Sequence, residues 1–356
     1  MTRRRAAWIT AAVIAASLAA APFGRVLWRE RRLRAAPRPL DVVLITLDTT
    51  RADRLGCYGG AGGASPHLDD LARRGVLFRR AYAHVPLTAP SHSSLFTGLL
   101  PTRHGVRDNG GYVLKEDLPT LAEQFVEAGY RTAAFVSAFV LERRFGLARG
   151  FATYEDDVTV GGGDRILDSV RGDVTVDRAL AWLRNEDPRP IFAWVHLYDP
   201  HLPYEPPEPF ATRFKDRPYE GEIAFMDAQV GRLLEALAAR GRPTLVAAVG
   251  DHGESLGEHQ ELTHSYFIYE GTQRVPFILS LPGWIPAGAA VVLLGQAVDL
   301  MPHPLEVGGL PLPQGLDGES LVPLLTLRSR REPGPAYLES YHPRLWWGAR
   351  ELLGLR

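Results

Sequence analysis

The chain has 356 residues, enough for one large α/β domain or two ordinary ones. Apolar residues make up 46%, which permits a sizeable core, and a net charge of -1 carries no signature of nucleic-acid binding. The single cysteine, Cys57, excludes an intrachain disulfide and is read as structural.

At the N-terminus, Arg3, Arg4 and Arg5 precede an apolar run from Ala6 to about Leu27, interrupted by Arg25. The run approaches the roughly 20 residues of a membrane span. Its basic start and Ala19-Ala20-Ala21 also fit an export signal. Residues 1–28 are therefore expected to be a signal sequence or membrane anchor, placing the protein outside the cytoplasm, exported or membrane-bound. The arginines between Arg25 and Arg34 sit awkwardly beside a cleavage site and favour an uncleaved anchor. Residues 29–40, basic and proline-bearing, read as a linker.

The folded domain is expected over residues 41–327. Val42 to Leu47 is a continuous apolar run ending in Asp48, which suits a buried parallel strand. A glycine-rich turn, Gly59 to Gly63, leads to a helix with Ser65 as N-cap and Pro66 in its first turn. Helical patterns follow near 117–128, 173–185 and 220–240, with apolar strand-like runs at 131–137, 190–197, 243–249 and 275–281. This alternation predicts an α/β fold, a mostly parallel central sheet with helices on both faces. Ligands of such folds bind beyond the carboxyl ends of the strands. Asp48, His196 with Asp199, and Asp251 with His252 all fall at or just past such ends.

Four stretches carry the chemistry. In Leu47 to Arg54, Asp48 at a strand end suits a divalent cation, Thr49 adds a hydroxyl, and Arg51 orients nearby acids. In Pro86 to Gly98, Pro90 and Ser91 mark a helix start. Thr88 is then expected just before a helix N-terminus, where backbone N–H groups favour an oxyanion. On residue type alone Thr88 reads first as a helix cap, and His92 equally as a core residue or a substrate contact. Val249 to His264 gathers Asp251, His252, Glu254, Glu258, His259 and His264, a density that points to a metal site. In His196 to Tyr204, Asp199 and His201 suit a second metal or the ester itself.

Together these stretches resemble the sulfatase family of the alkaline phosphatase superfamily, from about Asp41 to Leu325. The resemblance extends to H-L-D-D-L-A-R-R-G-V-L-F-R-R-A-Y, T-G-L-L-P-T-R-H-G-V, Y-E-G-T-Q-R-V-P-F-I and L-D-G-E-S-L-V-P-L-L. It implies an alkaline phosphatase-like fold and a metal-dependent hydrolase of sulfate or phosphate esters. Sulfatases convert the cysteine of a C-x-P-S-R motif to formylglycine. Here T-A-P-S-H puts Thr88 at that cysteine and His92 at the arginine, so formylglycine is not expected. Asp48-Thr49 replaces a usual Asp-Asp pair, Asp251-His252 replaces Asp-Asn, and His264 stands where a lysine is usual. Each departure moves toward the superfamily's phosphodiesterases, whose nucleophile is the threonine of T-x-P-x-H. Their H-G-x-x-D-N asparagine, which holds a phosphate oxygen, matches Asn109.

The resemblance thus implies a covalent Thr88 intermediate, with a cation held by Asp48, Thr49, Thr88, Asp251 and His252. It implies oxyanion contacts from His92 and Asn109, and a second site or base from Asp199, His201 and His264. Calcium, or manganese or zinc given the Asp-His pair, is the expected metal. The substrate is a small-molecule, glycan or lipid ester, its specificity set by loops 110–116, 155–172 and 205–218. The competing readings are a phosphoryl transferase resembling phosphoethanolamine transferases, and a truncated, inactive homologue that binds without turnover. The second rests on residues 328–356, read as the remnant of a C-terminal subdomain. It rests also on Pro302 and Pro304, expected to break the helix after Asp299.

Overall fold

Strand β1, Asp41–Leu47, is apolar from Val42 onward because both its faces are covered. In the computed structural model, which describes residues 31, 33, 35, 36, 38–158, 169–325 and 334–356, its residues alternate between two cores. Val42 and Leu44 join Phe192, Trp194 and Leu245 on one side. Val43, Ile45 and Leu47 join Ile191, Val195 and Ala248 on the other. The expected signal or anchor at 1–28 lies outside the described residues. Among those described, no helix is long and apolar enough to cross a membrane.

The remaining strands of the sheet are β2 (Val76–Tyr82), β3 (Arg131–Phe135), β4 (Thr153–Glu155), β5 (Ile191–Leu197), β6 (Thr244–Gly250), β7 (Arg274–Val275), β8 (Phe277–Ser280) and β9 (Ala289–Gln296). They run in the order β4-β3-β5-β1-β6-β8-β2-β7, with β9 also paired to β2. The half from β4 to β6 is parallel, and β8 runs antiparallel to β6. Apolar runs do not encode strand direction, so the 275–281 run did not announce this reversal. Thr46 lies level with His196 on β5 and with Val249 on β6. Asp48, Tyr198 and Asp251 therefore leave the sheet side by side.

Helices α1 (Pro66–Arg74), α2 (Thr88–Thr97), α3 (Leu121–Glu127), α4 (Gly172–Leu183), α5 (Pro218–Ala239) and α6 (Pro302–Gly308) cover the faces. Leu95, Phe96 and Phe125 of α2 and α3 fill one core. Val176, Ala179, Ile223 and Val230 of α4 and α5 fill the other. Two sequence expectations need correction here. Ser65 does not cap α1: its hydroxyl accepts the Gly56 N–H at 2.9 Å. The Asp227 carboxylate on α5 instead accepts the His67 and Leu68 N–H groups at 2.9 and 2.8 Å. Pro302 and Pro304 do not break a helix; they lie in the first turn of α6, where the missing N–H has no intrahelical partner to lose.

Residues 337–355 form a small unit of their own. Strands β10 (Tyr337–Ser340) and β11 (Leu352–Leu355) pair antiparallel around helix α7 (His342–Trp347). Buried Glu339 forms a bidentate pair with Arg107, and its N–H bonds the His84 carbonyl at 2.8 Å. These ties lay α7 over the carboxyl edge of the sheet.

Candidate active site

Two strand ends and one helix build the centre. Asp48 follows β1, Asp251 and His252 follow β6, and α2 brings Thr88 between them. The Thr88 hydroxyl lies 3.3 Å from Asp48 Oδ2 and 3.3 Å from His252 Nε2. Thr88 is the first residue of α2, not the residue before it, because Pro90 is tolerated within the first turn. Gly253 lets the turn after His252 close, since a Cβ there would meet the Gly271 carbonyl oxygen.

The histidines divide by their hydrogen bonds. His252 Nδ1 donates to the Gly253 carbonyl at 3.0 Å, which leaves its Nε2 lone pair facing Thr88. His196 Nδ1 accepts the Ser137 N–H, so Nε2 donates to Asp48 Oδ2 at 3.1 Å. His92 Nδ1 donates to the Thr88 carbonyl at 2.8 Å, and Nε2 accepts from the Thr46 hydroxyl at 3.0 Å. With both nitrogens used, His92 has none left for an ester oxygen. It buttresses the Thr88 backbone instead of touching substrate.

Burial dominates the electrostatics. It lowers His92 to about 3 and His196 to about 4, so both imidazoles are neutral near pH 7. It raises Asp48 to about 6 and raises Asp251 as well. Asp48 Oδ1, Asp251 Oδ2 and the Thr49 hydroxyl are buried without a hydrogen-bond partner. Ligand atoms of Asp48, Asp251 and His252 lie within 4.8 Å of one another. Two buried acids with orphaned oxygens and neutral imidazoles beside them are a donor set suited to a divalent cation. Thr49 sits at φ 48, a left-handed conformation unfavourable to a β-branched residue, at a cost of about 1–3 kcal/mol. The Tyr219 hydroxyl holds it there through the Thr49 carbonyl at 2.7 Å.

Asp199 stands apart from this cluster. Its Oδ1 accepts the Gly172 N–H at 2.8 Å, which turns it toward the start of α4. His201 and His264 do converge, their rings 5.0 Å apart, and His264 lies 4.5 Å from the His252 ring. Burial opposes a charge on His264, but Glu254 at 3.3 Å outweighs it and raises the pKa. Burial lowers His201 to about 3, with Nδ1 spent on the Leu202 carbonyl. Arg51 donates to the Glu254 carbonyl and pairs with Glu258, joining the first loop to this one. Asn109 Oδ1 accepts the Ala89 N–H at 2.8 Å, which leaves its amide NH2 for the pocket. Cys57 is not among the pocket residues, and burial pushes its thiol up to about 12.

A cavity of about 880 Å³ opens on Thr88, Asn109, His201 and His264. Of the loops expected to set specificity, the first contributes Gly110 and Gly111; among described residues the other two do not line it. Tyr198 and helix α7 do, with His342, Trp346 and Trp347. The sequence placed His196 at a ligand-facing strand end and Glu254 in the metal-like stretch, without the specific contacts seen here to Asp48 and His264; α7 offered no local signal.

Sulfuric and phosphoric ester hydrolases are the class of enzyme that this fold and site define. Residues 41–310 match the family model of the sulfatases, and the chain belongs to that family of the alkaline phosphatase superfamily. It is 26% identical to the Delta 4,5-hexuronate-2-O-sulfatase of Bacteroides thetaiotaomicron, over 84% of this chain and 74% of the relative. It is 28% identical to human arylsulfatase A, over 82% of this chain and 68% of the relative. The phosphonate monoester hydrolase of Agrobacterium radiobacter shares the fold at a TM-score of 0.75 and 23% identity, over 89% of this chain and 85% of that one.

Proposed function

We propose that the enzyme cleaves sulfate or phosphate esters through a covalent intermediate on Thr88, with a divalent cation bound beside it. The placement of the Thr88 hydroxyl between Asp48 and His252 carries this reading. Asp48, Asp251, His252 and Thr88, with the Thr49 hydroxyl nearby, would hold the cation: calcium, or manganese or zinc given the imidazole. Bound there, it supplies positive charge that lowers the hydroxyl pKa and offsets charge on the ester.

The chain's own residues do the rest. Thr88 gives its hydroxyl proton to Asp48 Oδ2, to which it already donates, and Oγ1 forms a bond to sulfur or phosphorus as the bond to the leaving oxygen breaks. The Asn109 amide and the N-terminal turn of α2 receive the equatorial oxygens. His264, whose pKa Glu254 raises, gives a proton to the leaving oxygen. Water then bonds to sulfur or phosphorus as the bond to Thr88 Oγ1 breaks, its proton passes back to His264, and Thr88 Oγ1 regains its proton from Asp48. His201, held neutral by burial, stands beside His264. A plain threonine ester of sulfate lacks the elimination route open to a formylglycine hydrate, so the chemistry leans toward phosphoryl substrates. The relatives named for sugar and aryl sulfates lean the other way.

A panel of one phosphodiester, one phosphomonoester and one aryl sulfate, each under calcium, manganese and zinc, separates these substrates. Thr88→Ala is expected to lose at least about 10³-fold in kcat on whichever ester is turned over. Chelation is expected to abolish that turnover, and returned metal to restore it. Turnover that persists after exhaustive chelation would remove the cation from the reading.

A further inference from the structure

The cavity beside Thr88 is unlike a binding site for a polyanion. Among its described lining residues none is Lys or Arg. Its carboxylate, Asp108, is already engaged by the Trp346 indole N–H at 3.0 Å and by His342 at 3.1 Å. Any further sulfate or carboxylate on a substrate would face Asp108 with no lysine or arginine among the described lining residues to receive it. The walls are instead apolar and aromatic: Val140, Tyr198, Leu202, Pro203, Trp346 and Trp347. Trp346 and Trp347 are 58% and 62% exposed. Two adjacent large aromatics left that open on a cavity wall gain from an apolar ligand that removes them from water. They are also held in place: Asp108 fixes the Trp346 indole, and Trp347 lies 5.6 Å from the Tyr266 ring and 5.0 Å from His342. Asp108 precedes Asn109, so the same short segment sets both the oxyanion contact and the aromatic wall.

We propose that this enzyme selects esters whose leaving group is a bulky apolar body, with Trp346 and Trp347 as specificity-determining residues, and that it discriminates against esters of multiply charged glycans. The inference rests on the reading of Thr88 as nucleophile. The leaving oxygen sits at the polar floor beside His264, and the apolar body of the departing alcohol lies along Trp346 and Trp347. A cavity of this volume takes a group the size of a long alkyl chain or a fused ring system.

The test is kcat/KM on the full chain for straight-chain alkyl esters from ethyl to decyl, and for phenyl against naphthyl esters, as sulfates and as phosphates. The expected result is a rise of about threefold per added methylene until the cavity is filled. The alkyl and aryl arms then show which apolar body fits better. Trp347→Ala is expected to flatten the series and Trp347→Phe to restore most of it. The decyl-to-ethyl ratio within one variant does not depend on the fraction of protein folded. A flat series in an enzyme whose 4-nitrophenyl ester turnover is lost in Thr88→Ala overturns this inference and leaves the nucleophile standing. So does preferential cleavage of a multiply sulfated disaccharide. Undiminished 4-nitrophenyl turnover in Thr88→Ala overturns the nucleophile, and the leaving-group assignment with it.

Discussion

A threonine hydroxyl is a poor nucleophile until something takes or shares its proton, so its neighbours decide its role. Thr88 has a carboxylate and an imidazole at equal distance, and both are themselves held from behind: Asp48 by His196, and His252 by the Gly253 carbonyl. Such supporting contacts fix ring tautomers and ligand orientation. Asn109 is held in the same manner by the Ala89 N–H. Asn109→Ala should lower kcat by about 10²-fold, the usual loss for one oxyanion donor. Because the Ala89 N–H also loses its partner, thermal stability should fall slightly; steady-state kinetics and a melting curve separate the two effects. An unchanged kcat would mean that the amide does not touch the ester.

At the scale of elements, β1, β5 and β6 of the parallel half were readable because each is an apolar run with a chemical residue at or just past its end, whereas β4, Thr-Tyr-Glu, carries no such pattern. Asp48, Asp251 and His252 followed from that pattern, and their level strand ends bring them together. The tie from His196 to Asp48 spans 148 residues and is fixed only by the β1–β5 register, which no local pattern encodes. Helix α7 was less legible still. Its Leu-Trp-Trp run reads as an apolar remnant, and its place over Thr88 depends on the Arg107 pair with buried Glu339. Glu339→Gln leaves Arg107 without its charge partner and should destabilise the protein by about 3 kcal/mol. It should also loosen α7, read as a change in tryptophan fluorescence and a raised KM for apolar esters. A variant as stable as the parent, with unchanged emission, would show that α7 is held by other contacts.

Across the whole molecule, several buried acids away from the centre bind protons more tightly in the fold than in the unfolded chain. Burial raises Asp227 to about 6, Asp299 to about 7 and Glu222 to about 8, the last with help from Asp199. Between an ordinary carboxyl pKa near 4 and these values, the folded state holds protons that the unfolded state has released. These groups therefore make stability fall as pH rises from about 4 to about 8. Buried histidines such as His92, His196 and His201, protonated in the unfolded chain below about 6.5 but not in the fold, act the opposite way there. The melting temperature should therefore decline from about pH 7 to 8. Glu222→Gln, which keeps an acceptor for the Glu205 N–H, should lessen the decline. A melting temperature that climbs from pH 7 to 8, equally in both proteins, would contradict this account.

The central claim is the bond made by Thr88, and peptide mass mapping after rapid acid quench during turnover reads it directly. The peptide containing Thr88 should carry the mass of one sulfuryl or phosphoryl group early in the reaction, with the modified atom at Thr88 and no such species in Thr88→Ala. An unmodified Thr88 peptide at every time point, together with full-rate turnover in Thr88→Ala, would contradict it.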